Sequence, residues 1–191
     1  HSLGKGEVGS SILPSSTIKT FYIIKFQFQT KLKIINLGHA NDKCKDYLVM
    51  EKPILGGCLC KKIRYKSLIK PRWISVCHCR MCQKAYGNTS ATFVAFDKGN
   101  LKFTKGFPKY YQSSDIARRG FCSDCGSPII FNYESLDAVF IGTLDDPQNW
   151  QPNGCHLGIE SKIPWDIIHD NLPQYRTEDD PEFIEASRLA K

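Results

Sequence analysis

Seven cysteines in three tight groups constrain this chain more than any other feature. They are Cys58 and Cys60; Cys77, Cys79 and Cys82; and Cys122 and Cys125. C-x-C and C-x-x-C spacings bring sulfurs close enough to share one ion. They rarely meet the Cα separation and Cβ directions of an unstrained disulfide. The chain holds nine cysteines, an odd number that fits a fully paired disulfide framework poorly. The opening residues lack a basic region followed by an unbroken apolar stretch, so no secretory signal is expected there. The chain is therefore read as cytoplasmic, with thiolate metal sites favoured by a reducing compartment.

Seven ligands divide most simply as four plus three. Two short pairs from distant parts of a chain commonly close one all-thiolate structural site, and Cys58, Cys60, Cys122 and Cys125 suit that role. Cys77, Cys79 and Cys82 then remain as a three-ligand set. Three protein ligands and an open position is the pattern of a catalytic zinc, whose open position takes water or an incoming thiol. A thiol held there would be deprotonated near neutral pH, ready to add to an aldehyde carbonyl that the metal can also polarise. The competing reading is a second closed site, with its fourth ligand drawn from Cys44, Cys155, His156 or His78. His78 lies between two ligand cysteines, so its side chain is expected to point away.

Composition narrows the class further. At 41% hydrophobic and 24% charged residues, the chain is ordinary for a globular protein. No run of eighteen apolar residues occurs, so no membrane-spanning helix is expected. The net charge of +7 hints at nucleic acid. However, more than half of it falls within residues 1–49, and no Lys/Arg-rich block of five to eight residues appears, which argues against a nucleic-acid partner.

The patterning is mostly β. Residues 1–17 are rich in Gly and Ser and read as a flexible leader. Ile24 to Ile34 alternates apolar and polar residues, as a half-buried strand does. Residues 1–49 are thus a leader, either contributing an added edge strand or lying upstream of a natural start at Met50, and residues 50–191 form one domain. Further strands are expected around Ile63–Tyr65, Trp73–Val76, Lys109–Gln112, Pro128–Phe131, Ala138–Thr143 and Leu157–Ile159. Thr92–Phe96 and Leu101–Phe103 flank the turn sequence Asp97-Lys98-Gly99-Asn100, which predicts a hairpin. Asp180–Ala190 is the best helix candidate, with Pro181 suited to its first position.

The clusters and their surroundings resemble the glutathione-dependent formaldehyde-activating enzyme family, which includes the centromere-protein-V group. The matching stretches are Gly57-Cys58-Leu59-Cys60, Cys77-His78-Cys79-Arg80-Met81-Cys82-Gln83-Lys84 and Gly120-Phe121-Cys122-Ser123-Asp124-Cys125-Gly126. Downstream, Gly142-Thr143-Leu144-Asp145-Asp146-Pro147, His156, Ser161-Lys162-Ile163-Pro164-Trp165 and Asn171-Leu172-Pro173-Gln174-Tyr175 also match. The resemblance implies a mainly β architecture, a β-tent zinc fold of small antiparallel sheets with short helical segments. It implies two zinc ions per chain, one structural on Cys58, Cys60, Cys122 and Cys125, one of catalytic type on Cys77, Cys79 and Cys82. The implied activity is that of a carbon–sulfur lyase, joining glutathione and formaldehyde as S-hydroxymethylglutathione. A non-catalytic zinc-stabilised binding module is the alternative.

Three departures from the family's common pattern stand out: Lys61 in place of a glycine, Gln83 in place of an arginine, and Phe93 where tryptophan is common. Lys84 is kept and is a candidate for steering an anionic thiol or lowering its pKa. Of the adjacent Arg118 and Arg119, alternation allows at most one to face the site. Asp145 and Asp146 read as turn residues, and Trp165 and Tyr175 as core aromatics.

Overall fold

A computed structural model describes residues 32–35, 47–133 and 135–180. Cys44, the leader residues 1–17, the stretch 24–31 and the helix candidate beyond Asp180 lie outside the described residues. Twelve strands are described, in two sheets. The smaller sheet has the order β1-β2-β3-β6, from Leu32–Ile35, Tyr47–Gly57, Arg64–Ile69 and Lys102–Lys105. β1 pairs antiparallel along β2 at the sheet edge, Leu32 opposite Met50 and Ile35 opposite Tyr47.

The larger sheet has the order β12-β11-β4-β5-β10-β9-β8-β7. Its strands are β4 (Trp73–Cys77), β5 (Ala91–Asp97), β7 (Lys109–Ser114), β8 (Ala117–Phe121), β9 (Pro128–Tyr133), β10 (Leu136–Phe140), β11 (His156–Leu157) and β12 (Gln174–Tyr175). All pairings are antiparallel except those of the two-residue β11, which runs parallel to β4 and β12. A single α-helix is described, α1 (Arg80–Tyr86). The architecture is the expected one, mainly β with antiparallel sheets and short helical pieces.

The centre of the molecule is β5, whose two faces are both buried. Successive strand side chains point to opposite faces. Val94 and Phe96 accordingly enter the main core with Tyr65, Ile129, Ile130 and Val139. Ala91, Phe93 and Ala95 enter a second cluster with Cys82, Ala138 and Phe140. Tyr86 and Phe131 pack against that second cluster, so α1 sits on an aromatic bed. Phe93 is its hub, with ring centroids 5.1 Å from Phe140, 5.5 Å from Phe131 and 6.0 Å from Tyr86.

The hairpin expected after Phe96 does not form. The turn itself is present, with Asn100 N donating to Asp97 O at 3.1 Å. However, both edges of β5 are already taken, by β4 and β10. The chain leaving the turn buries Leu101 in the main core and pairs as β6 with β3 in the other sheet. Two more expectations shift at strand ends: Ile141–Thr143 and Ile159–Ser161 are 3-10 turns rather than strand. Trp165, expected in the core, is 72% exposed.

Candidate metal centres

The two cysteine sets come together as the spacing predicts, but the fold builds them differently. Cys58 and Cys60 follow β2, while Cys122 and Cys125 lie between β8 and β9. This centre therefore joins the two sheets. All four Sγ atoms lie within 4.8 Å of one another, with Cys58 to Cys60 at 3.4 Å and Cys60 to Cys122 at 3.7 Å. Four thiolates at about 2.3 Å around one zinc would sit about 3.8 Å apart, whereas a disulfide would bring two to about 2.05 Å. The donor set fits a tetrahedral ion.

Backbone turns shape both halves of this centre. Ile63 N donates to Cys58 Sγ at 3.2 Å, and Lys61 N to Cys58 O at 3.0 Å. That turn places Lys61 at φ 61°, the one described non-glycine residue with positive φ. Glycine is favoured there because it lacks the Cβ that makes this region costly. In the second half, Gly126 at φ 74° donates its N–H to Cys122 O at 2.9 Å. Hydrogen bonds from the side chain and backbone of Ser127 draw the Cys125 thiol down to about 6.

The second centre is local. Cys77 ends β4, Cys79 caps α1 and Cys82 lies within its first turn. Their sulfurs also lie within 4.8 Å of one another, Cys77 to Cys79 at 3.4 Å. Cys79 Sγ accepts from Cys82 N at 3.5 Å, doing the work usually done by a serine or aspartate cap. Without a cation the three cannot all ionise. Hydrogen bonds from Cys77 and then Cys82 hold the Cys79 thiol down to about 2. Cys77 is pushed far up by the same bond to Cys79. Cys82, lowered by Cys77 but raised by Cys79 and burial, stands at about 11. A divalent ion is the natural replacement for the protons that Cys77 and Cys82 keep.

None of the described candidates completes this set. His78 is buried and points away, as expected: its Nε2 lies 2.9 Å from His156 Nδ1, and the rings stack at 5.2 Å. His156 Nε2 in turn lies 3.1 Å from both carboxylate oxygens of Asp170. Cys155 Sγ lies 3.6 Å from Ser75 Oγ. The loop holding these residues packs tightly on the centre. His78 N donates to Leu157 O at 2.7 Å, and a Cβ on Gly158, at φ 65°, would come within 2.8 Å of Cys79 N and Cβ.

The departure Gln83 and the retained Lys84 both have clear structural places beside this centre. Gln83 is buried, its Nε2 donating to His78 O at 2.6 Å and Ser161 O at 2.9 Å, its Oε1 accepting from Arg80. Lys84 is exposed on α1 and lines an open pocket of 330 Å³ with Arg80, Gln83, Asn88, Thr89 and Ile163. Of the two arginines, Arg118 is exposed, reaching Asn132 Oδ1 and stacking over Tyr110. Arg119 is buried at the three-cysteine centre, with Nη2 3.7 Å from Cys82 Sγ and Nη1 donating to Tyr86 OH. Asp145 serves structure, pairing with Arg64. Asp170 and Tyr86 carried no sequence signal of their own; only the fold brings them to this region.

Fold and donors together define a mainly β protein with two all-cysteine sites able to hold metal ions. The family described as glutathione-dependent formaldehyde-activating enzyme matches residues 53–158, more than half of the chain, and this chain belongs to it. An uncharacterised lyase of Schizosaccharomyces pombe is 35% identical over 78 residues, 41% of this chain. The chain covers 56% of that relative's length. A solved Rhodobacter sphaeroides structure aligns over 63% of this chain and 99% of its own, at 16% identity and TM-score 0.41. No helix among the described residues is long and apolar enough to cross a membrane.

Proposed function

We propose that this protein is a zinc-dependent carbon–sulfur lyase that forms or cleaves adducts between a small thiol such as glutathione and an aldehyde such as formaldehyde. The observation that carries this reading is the uneven division of the sulfurs. Four gather between the sheets, close enough to share one ion, and three gather beside α1 with no fourth ligand among the described residues. In this reading Cys58, Cys60, Cys122 and Cys125 hold a structural zinc. Cys77, Cys79 and Cys82 hold the second. That zinc, when bound, supplies Lewis acidity and favours the deprotonated form of a thiol at neutral pH.

The reaction balances simply. A carbon–sulfur bond forms between the thiol sulfur and the carbonyl carbon, and the proton leaving sulfur ends on the carbonyl oxygen. Cleavage is the reverse. The chain's own part is to position and attract. Cys79 fixes the start of α1 and so sets the place of Cys82. Lys84, beside Arg80 at the open pocket, steers an anionic thiol toward that end of the domain. In this reading residues 50–191 are the zinc-binding domain and residues 1–49 a leader, which supplies β1 and the first three residues of β2 to the smaller sheet. The reduced thiols suit the cytoplasm.

The test is exchange spectroscopy of labelled formaldehyde and glutathione with zinc-loaded protein. Exchange faster than in buffer, lost on Cys79→Ser with the fold retained, is expected. A rate equal to buffer and indifferent to that substitution overturns the proposal.

A further inference from the structure

We infer that Arg119 is the built-in countercharge of the three-cysteine centre, a positioning residue that holds Cys82 as a ligand and keeps the centre receptive to one further anionic sulfur. This rests on the proposed division of the two ions and says what the smaller site demands of its fourth ligand.

The argument starts from burial. Arg119 is 8% exposed, and removing a guanidinium from water costs several kcal/mol unless something compensates. Buried arginines normally face a carboxylate. Among the described residues Arg119 has none: its polar contacts are Cys82 Sγ and Tyr86 OH, and its Nε has no partner. Two aromatic faces confine it, with the guanidinium carbon 4.8 Å from the Phe131 ring centre and 5.2 Å from that of Tyr86. The fold thus fixes a permanent positive charge against one sulfur and gives it no other anion.

Charge balance then identifies the missing partner. Three thiolates around a divalent ion leave one net negative charge, and one guanidinium cancels it. The centre is neutral with its three cysteines alone. A fourth thiolate, supplied by substrate, leaves a single negative charge rather than the double charge of a closed four-thiolate site. The four-cysteine centre is built the other way. Apart from the exposed Lys61, its nearby cations are Lys62, exposed and paired with Asp124, and Arg64, paired with Asp145. Neither is a buried, unpaired charge. Planarity matters as well, since only a guanidinium can lie between two rings while donating sideways to sulfur.

The experiment measures metal affinity of the folded, full chain rather than turnover. Zinc and cobalt dissociation constants would be obtained by competition with a chromogenic chelator for the unsubstituted protein, Arg119→Met and Arg119→Lys. The unsubstituted protein should hold two ions. Arg119→Met should weaken the second ion 10–100-fold, as outer-shell substitutions do, and leave the first unchanged as an internal control. Arg119→Lys, which keeps the charge and loses the planar fork, should fall between. Adding glutathione to the cobalt form should strengthen the thiolate-to-cobalt absorption band, at lower glutathione concentration in the unsubstituted protein than in Arg119→Met. Two ions held with unchanged affinity in both variants overturn the inference and leave the proposed lyase standing. A single ion in the unsubstituted protein overturns the division itself, and the inference with it.

Discussion

The four-cysteine centre should decide whether this chain folds, and the three-cysteine centre should not. The contrast is worked from chain connectivity. Cys60 and Cys122 are 62 residues apart and follow strands of different sheets, so an ion joining them closes a long loop. Treated as a crosslink, a loop of that length restricts the unfolded chain by about 4 kcal/mol. Cys77 and Cys82 lie within one short turn, and closing so short a loop contributes about 2 kcal/mol less. Full metal binding at an all-thiolate structural site is worth about 10–16 kcal/mol, against about 5–15 kcal/mol for the net stability of a domain. Cys122 is also 1% exposed, so Cys122→Ser buries a hydroxyl beside sulfurs that have lost their ion. The assay is thermal unfolding followed by circular dichroism, on zinc-loaded Cys122→Ser and Cys82→Ser. Cys82→Ser should retain a cooperative transition. Cys122→Ser should lose it, or at minimum drop by about 8–16 °C, the shift that the crosslink alone represents for a chain this size. A Cys122→Ser protein that melts cooperatively within a few degrees of the parent would refute the reasoning.

Three further substitutions probe how the backbone and core hold the centres. Lys61→Gly should stabilise the protein by about 1 kcal/mol, because Lys61 sits at φ 61° where a Cβ is costly; a urea midpoint raised at unchanged slope would register it. Gly158→Ala should cost about 2 kcal/mol or more, since the new methyl meets Cys79 at 2.8 Å at a positive φ. Metal analysis should then show selective loss of the second ion. Phe93→Ala should cost about 3–5 kcal/mol by emptying the aromatic bed under α1, read by denaturant unfolding with zinc in excess.

The cysteine clusters were the most legible part of the sequence, because short cysteine spacings dictate proximity whatever the surrounding fold. Both sets assemble as read. Alternation gave the inward turn of one arginine in β8, though only the strand's register shows it to be Arg119, in step with buried Ala117. What the sequence concealed was non-local. The turn at Asp97–Asn100 is real, yet a turn does not say which strand will pair beyond it; competition from β4 and β10 does. Helix α1 has seven residues, too few for a helical period to emerge, and its cap is a cysteine rather than one of the residues that usually mark a helix start. Asp170 reaches His156 because the chain loops back to lay β12 beside β11, which no local pattern announces.

The stretch Cys77-His78-Cys79 shows why a ligand pair and a buried histidine share one segment. Extended backbone turns alternate side chains to opposite sides. Two cysteines spaced by one residue therefore face the same side, where their sulfurs can share an ion, and force the intervening side chain the other way. On that other side lies the buried ring of His156, from the neighbouring strand β11, so the intervening residue must satisfy a buried polar environment. His78 does so through His156, whose second nitrogen is held by Asp170. With Asp170 as acceptor, a neutral His156 ring donates through Nε2, and its Nδ1 is then the acceptor for His78 Nε2. In those tautomers His78 Nδ1 is an acceptor, and it has no partner among the described residues. The C-terminal tail is thus tied to the back of the three-cysteine centre by a directed chain of hydrogen bonds. The candidate ion site and the tail meet at the Cys77–Cys79 segment, where Leu157 O accepts from His78 N and Gly158 lies against Cys79.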